Sequence, residues 1–299
     1  IQVTLRHADR ICYAMQQAAI PWLTGLELVA TGTEPSRDLR VTVELVPGGA
    51  VPIERRCAEL LPGASLAIER PEPPLDRELL ANQLERERAT LLVEVYRGED
   101  CVAGLARDVD LLAYNEWPGL AVLPALLASF VSPNHPALVP LLHAVADRLE
   151  ASTGRRSLDG YQSRDPARAR ALVEAVYGAV AAAAITYVQP PPSFEAHGQK
   201  VRTPEQVLGD RLGTCLDLAL LQAALLEHVG LQPFVVLQRD HAFVGAWLVD
   251  AALPHAELAA AVELRKHCDL GAAVVVETTL ACAGAAADCA TASERARRQ

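Results

Sequence analysis

Leu212-Gly213-Thr214-Cys215-Leu216-Asp217-Leu218-Ala219 runs directly into Leu220-Leu221-Gln222-Ala223-Ala224-Leu225-Leu226. Apolar residues fill nearly every position, and a helix that is apolar all round belongs inside a domain rather than on its surface. Thr214 and Asp217 have the spacing of a capping box, in which each side chain bonds an orphan backbone N–H of the other. The stretch therefore predicts a buried helix that starts at Cys215 and is closed by Gly230 in the C′ role. Its first side chain lies at the positive end of the helix macrodipole, which favours thiolate over thiol. The competing reading of Cys215 is a small inert hydrophobe, as free cysteines commonly are. Cys12, Cys57, Cys101, Cys268, Cys282 and Cys289 lack this context and stay with that reading.

Downstream, Leu231 to Gln238 and His241 to Val249 read as strands joined tightly at Arg239-Asp240, hence a hairpin. His241 opens the second strand, where an imidazole can exchange a proton with the thiol near neutral pH. His228 sits at the far end of the cysteine helix and, at ~1.5 Å per residue, is too distant to be the partner. A third group must orient the imidazole and stabilise its charged form. Glu277, closing the β-branched run Ala273-Val274-Val275-Val276, is the preferred candidate, since a charge at the end of such a strand needs a partner. Asp250 is the rival, but its odd offset from His241 puts it on the other strand face. Gln199 is a candidate donor to a developing oxyanion and equally a surface glutamine in a polar loop. Trp247 shares a face with His241 and reads either as a cleft wall or as core. Thiol, imidazole and carboxylate together point to nucleophilic acyl transfer.

Upstream the period is two rather than 3.6. Leu26 to Thr31, Leu39 to Val46, Val51 to Leu60, Ala64 to Glu69, Ala89 to Tyr96 and Cys101 to Leu112 read as strands. Pro47-Gly48-Gly49, Pro62-Gly63 and Gly98-Glu99-Asp100 are turn signals between them. Strands at this spacing predict an immunoglobulin-like β-sandwich over residues 1–117. After Asn115-Glu116-Trp117-Pro118-Gly119, helices are expected at Leu123 to Phe130, at Pro136 to Ser152 (capped by Asn134, stopped at Gly154), and at Pro166 to Thr186 with Asp165 as N-cap. A helical insertion is expected from Pro254 to Leu270. The predicted class is α+β, with residues 118–299 as a second domain.

Bulk properties narrow the function classes. A chain of 299 residues, 51% hydrophobic and 21% charged, can bury large cores and is not disordered. A net charge of −10 argues against sequence-independent nucleic-acid binding; the arginines from Arg164 to Arg170 read as the solvated side of a helix. No apolar run reaches the roughly 18 residues of a membrane span, no signal peptide is visible, and a start at Ile1 suggests an excised fragment. Seven scattered cysteines fit a reducing cytoplasm, and none has metal-ligand spacing, so no cofactor or metal is expected. No Gly-rich phosphate loop is present.

Arg202-Thr203-Pro204-Glu205-Gln206-Val207-Leu208, Gly213-Thr214-Cys215-Leu216-Asp217-Leu218-Ala219 and His241-Ala242-Phe243-Val244 resemble the transglutaminase-like superfamily of cysteine proteases and transglutaminases. The resemblance implies a papain-like α+β domain and a Cys-His-Asp triad, with Cys215 and His241 matching and Glu277 standing where the family has aspartate. It implies hydrolysis of a protein or peptide amide, or transamidation to an amine. Leu111 to Trp117, Ser132 to Pro136, Ser157 to Gln162 and Val276-Glu277-Thr278-Thr279 also resemble the N-terminal region of large bacterial proteins. Those proteins continue into a helicase-like nucleoside triphosphatase and are suspected of roles in conflict with phage or other invading DNA. That implies a helicase-like region downstream as the partner of this one. Against the enzyme stands a catalytically silent module that docks a protein.

Overall fold

The computed structural model describes residues 1–251, 255–285 and 287–299. The protein is of mixed α+β class and divides into two compact units, Ile1–Pro118 and Gly119–Gln299. Among the described residues no helix is long and apolar enough to cross a membrane.

The first unit is built on strands β1 (Gln2–His7), β2 (Arg10–Ile11), β3 (Leu23–Val29), β4 (Ser36–Val46), β5 (Ile53–Leu60), β6 (Ser65–Ala67), β7 (Glu87–Arg97), β8 (Asp100–Leu111) and β9 (Glu116–Trp117). Helices α1 (Tyr13–Gln17) and α2 (Arg77–Asn82) interrupt them. One sheet has the order β2-β8-β7-β4-β5 and a second has the order β1-β3-β6. Val41 faces Val95 and Val43 faces Val93 across the β4–β7 ladder, and all four are fully buried. Their alternation with Arg40, Thr42 and Glu44 is what made these strands legible. β1 was not expected. It carries only Val3 and Leu5 as inward apolar residues, both half-buried, and owes its place to the antiparallel ladder with β3.

The second unit begins with 3₁₀ turns at Pro124–Phe130 and Pro136–Leu138, where α-helix was expected. Helix α3 (Val139–Thr153) follows and ends at Gly154, whose φ of +69° closes it in the left-handed region. The expected cap Asn134 is not the capping residue. His135 accepts the N–H of Ala137, and Pro136 lacks the other N–H that Asn134 would have served. Helix α4 (Pro166–Ala182) has Asp165 as N-cap, its carboxylate accepting from Ala167 N at 2.9 Å. It stops four residues before Thr186. Ala184 turns to a φ of +52°, and Thr186–Tyr187 becomes strand β10. An all-alanine run carries no stop signal, so only its neighbours set this end. Arg168 corrects the solvated-helix expectation. It is 6% exposed, with Nε on Asp159 at 2.8 Å, Nη1 on Thr153 and Nη2 on the Ser157 carbonyl.

Short elements α5 (Phe194–His197), β11 (Gln199–Lys200), α6 (Pro204–Asp210) and β12 (Leu212–Gly213) lead to α7 (Cys215–His228). Leu216, Leu218, Leu220, Leu221, Leu225 and Leu226 on α7 are all buried. At on the order of 2 kcal/mol per leucine, burial of this helix dominates the unit's stability. Strands β13 (Pro233–Gln238), β14 (His241–Trp247) and β15 (Ala273–Val276) form an antiparallel sheet against it, with β14 central. The hairpin closes with Gln238 opposite His241, and Asp240 takes a φ of +56° in the two-residue turn. Helix α8 (Ala261–Asp269) lies within the expected insertion, whose first residue, Pro254, falls outside the described residues. Helix α9 (Cys289–Arg297), capped by Asp288, was not expected. Asp288 followed by Cys-Ala-Thr-Ala-Ser-Glu-Arg-Ala-Arg is a helix signature that sequence reading passed over.

Candidate active site

Thr214 caps α7 as the sequence demands. Its hydroxyl accepts from Asp217 N at 3.2 Å, and Asp217 accepts in return from Thr214 N at 2.9 Å. Asp217 is buried and also takes Arg202 N (2.8 Å) and Arg202 Nη1 (2.9 Å). The arginine of the resembling motif thus neutralises the capping carboxylate. This clamp fixes Cys215 as the first helical residue.

Antiparallel pairing brings the other two groups together. In the β14–β15 ladder Val244 faces Val276, so one further step sets Glu277 across from Phe243, a diagonal neighbour of His241. His241 Nε2 and Glu277 Oε2 lie 2.7 Å apart, with the carboxylate almost wholly buried. Glu277 Oε1 accepts from Thr279 N (3.0 Å) and Thr279 Oγ1 (2.7 Å), and Oε2 also accepts from Gln299 Nε2 at 3.1 Å. The imidazole also has a side-chain hydrogen bond with Cys215. That bond first, and the one to Glu277 second, lift the His241 pKa to about 9 against the opposing effect of burial. Burial acts to raise the Glu277 pKa, but the hydrogen bonds from His241 and Thr279 outweigh it and hold the carboxyl below its ordinary range. At neutral pH the site therefore contains an imidazolium backed by a carboxylate.

The structure brings Cys215, His241 and Glu277 into one chain of contacts. Asp250 is excluded from it: exposed, it accepts from Gln232 Nε2 at 3.3 Å. Asp240 accepts the N–H of Ser193 instead. His228 bonds the carbonyl of Pro133. Gln199 is not a surface residue. It is 4% exposed, its Nε2 donates to Thr214 Oγ1 at 3.0 Å, and its Oε1 has no partner. It stands one residue from the thiol with one donor committed to the helix cap. Trp247 is core, edge-on to Phe234 and to His267.

Tyr187 was not foreseen. β10 and β12 pair in parallel, with Tyr187 opposite Gly213, and the phenol hydroxyl bonds the thiol of Cys215. Burial first, then the adjacent Cys215, push the tyrosine up to about 12, so it remains a donor throughout the physiological range. An aromatic opening a short strand is too common a pattern to single out by sequence. Gln299, two residues past the end of α9, was missed as well.

Cys215 is 0% exposed. The imidazole has 22% of its side-chain surface free and, with Glu277, Thr279, Leu280, Arg295 and Gln299, lines an open cavity of about 310 Å³. A second cavity, about 450 Å³, lies between α4, β15 and α9 and is lined by none of Cys215, His241 or Glu277. Among the described residues no group of three or more His, Cys, Asp or Glu could hold a metal ion.

No protein-family model and no curated protein matches the chain. A solved structure described as a "putative protease" from Parabacteroides distasonis is similar at 15% identity with a TM-score of 0.30. The alignment covers 85% of this chain and 45% of that one, so the chain spans less than half the length of its relative. A likeness of that size carries no argument about activity, which has to rest on the site.

Proposed function

We propose that the second unit is a transglutaminase-like cysteine amide hydrolase with Cys215 as nucleophile, His241 as acid and base, and Glu277 as the group that orients the imidazole. The observation that carries this reading is an imidazole held between a helix-start thiol and a buried carboxylate at 2.7 Å. With Nε2 on Glu277, Nδ1 is the nitrogen that serves the sulfur. Sγ attacks the amide carbonyl, an S–C bond replaces the C–N bond, and the imidazolium gives its proton to the departing amine. Water then cleaves the thioester, His241 takes a proton from it, and the acid leaves as the thiol is restored. The Cys215 backbone N–H is one donor for the oxyanion. A half-turn of the Gln199 amide, with Thr214 donating to its oxygen, supplies a second. Hydrolysis is preferred to transamidation because no dry amine channel is evident at the open cavity. The first unit is read as an immunoglobulin-like sandwich serving as spacer or docking surface.

One observation favours the silent-module reading: the sealed sulfur. Tyr187 is the half-buried side chain in contact with it, and in the catalytic reading this ring turns aside to admit substrate. The two readings separate by thiol reactivity. Labelling with an iodoacetamide probe at pH 7, followed by peptide mapping, is expected to modify Cys215 ahead of the exposed Cys101, and faster still in Tyr187→Ala. Cys12 and Cys282, pushed by burial to about 11, and Cys289, to about 12, react last. Labelling of Cys101 with none at Cys215 in either protein leaves the silent module.

A further inference from the structure

Three arginines occupy the last turn of α9 and its cap: Arg295, Arg297 and Arg298. Arg297 is paired with Asp269 and Arg298 with Glu294. Arg295 has no ion-pair partner among the described residues, and it is the one of the three that lines the cavity beside His241. Its position follows from the helix. Ala292, whose carbonyl accepts Glu277 N at 3.1 Å, is one turn earlier, and Gln299, whose amide reaches Glu277, is one turn later. Arg295 therefore lines the same cavity as Glu277, with no ion pair between them among the described residues. Glu277, the sole acid lining the cavity, has its oxygens occupied by His241, Thr279 and Gln299. His241 and the exposed Arg295, though not Cys215, line the same space of about 310 Å³, in a chain whose net charge is −10. A cavity with two cations and one committed carboxylate attracts anions, and Arg is the side chain whose fork matches a carboxylate.

We propose that this cavity is a carboxylate-binding subsite in which Arg295 receives an anionic group of the substrate and so directs acidic acyl donors to Cys215. The inference rests on the cysteine-hydrolase reading. A basic residue in a last helical turn also offsets the helix macrodipole, a purely structural role from which no ligand preference follows.

Iodoacetate and iodoacetamide test it on the whole chain without knowledge of the natural substrate. In both, the sulfur displaces iodide: an S–C bond forms, the C–I bond breaks, and iodide leaves with the pair. The ratio of their rate constants at Cys215, at pH 7 and low salt, is expected to fall about tenfold in Arg295→Gln and to recover in part in Arg295→Lys. A ratio equal to wild type in both variants overturns the subsite and leaves the reactive thiol standing. No reaction of Cys215 with either reagent overturns the hydrolase reading and this inference with it. Two isomeric probes separate the sources of the carboxylate. If an acidic side chain is recognised, N-iodoacetyl-aspartic α-amide is faster; if a chain terminus, N-iodoacetyl-asparagine with a free α-carboxylate is. Equal Arg295-independent rates for the pair argue against recognition of either.

Discussion

Replacing Glu277 with glutamine is expected to lower the His241 titration from about 9 while the larger effect of Cys215 stays in place, readable by NMR of the imidazole protons. The amide keeps the shape of the carboxylate and loses its charge. It can also turn its NH₂ towards Nε2, which then has to be an acceptor, the wrong tautomer for a base that works through Nδ1. If the site hydrolyses amides, turnover falls on the order of 10⁴-fold, the cost of that change in a serine triad. Stability changes with a definite sign. A histidine raised above its unfolded pKa contributes stability that is complete below about 6.5 and is lost as pH rises through about 9. Wild type should therefore lose denaturant resistance between pH 6.5 and 9, and Glu277→Gln should show a flatter profile in that window. Identical profiles would mean that the imidazole and the carboxylate are not coupled in solution.

Gly245→Ala is expected to be a strongly disruptive single-methyl change in the second unit. A Cβ at this position lies 2.3 Å from two ring carbons of Phe234 and 2.7 Å from the backbone carbonyl of Val274. The phenyl ring can swing aside, but the carbonyl belongs to the neighbouring strand and cannot move without opening the ladder. Overpacking of this kind costs about 3 kcal/mol. In a unit of this size, that corresponds to a Tm lower by roughly 6–12 °C. Calorimetry on the variant checks it. Because β14 also carries His241 and pairs with the strand that leads to Glu277, Cys215 reactivity should fall alongside stability. A variant as stable as wild type would show that β14 and β15 stand further apart than described.

Both effects follow from how β14 lies between its neighbours, and this is where sequence and structure divide. The capping box is local. Thr214 and Asp217 are three residues apart, so their reciprocal bonds, and with them the position of Cys215 at a helix start, were legible in the letters. The hairpin was equally local, closed by two residues between two apolar runs. Glu277 was a choice among carboxylates, made from the oddness of a charge ending a β-branched strand. What placed it near His241 was register: a slip of one residue would turn the whole strand over. Tyr187 and Gln299 had no sequence signal at all. One reaches the sulfur through a two-residue parallel bridge, and the other reaches Glu277 from the end of a helix that was not expected.

The sequence by itself determined a buried helix headed by Cys215, the strand hairpin opening at His241, and the alternating sheets of the first unit, because each rests on contacts within a few residues or on a repeating period. Only the tertiary structure decided that Asp250 faces away and that Arg168 is buried against Asp159. It alone sealed the sulfur and placed Arg295 in the cavity lined by His241 and Glu277. Those outcomes depend on which surfaces of distant segments meet, and packing between them is encoded in no single stretch of the chain.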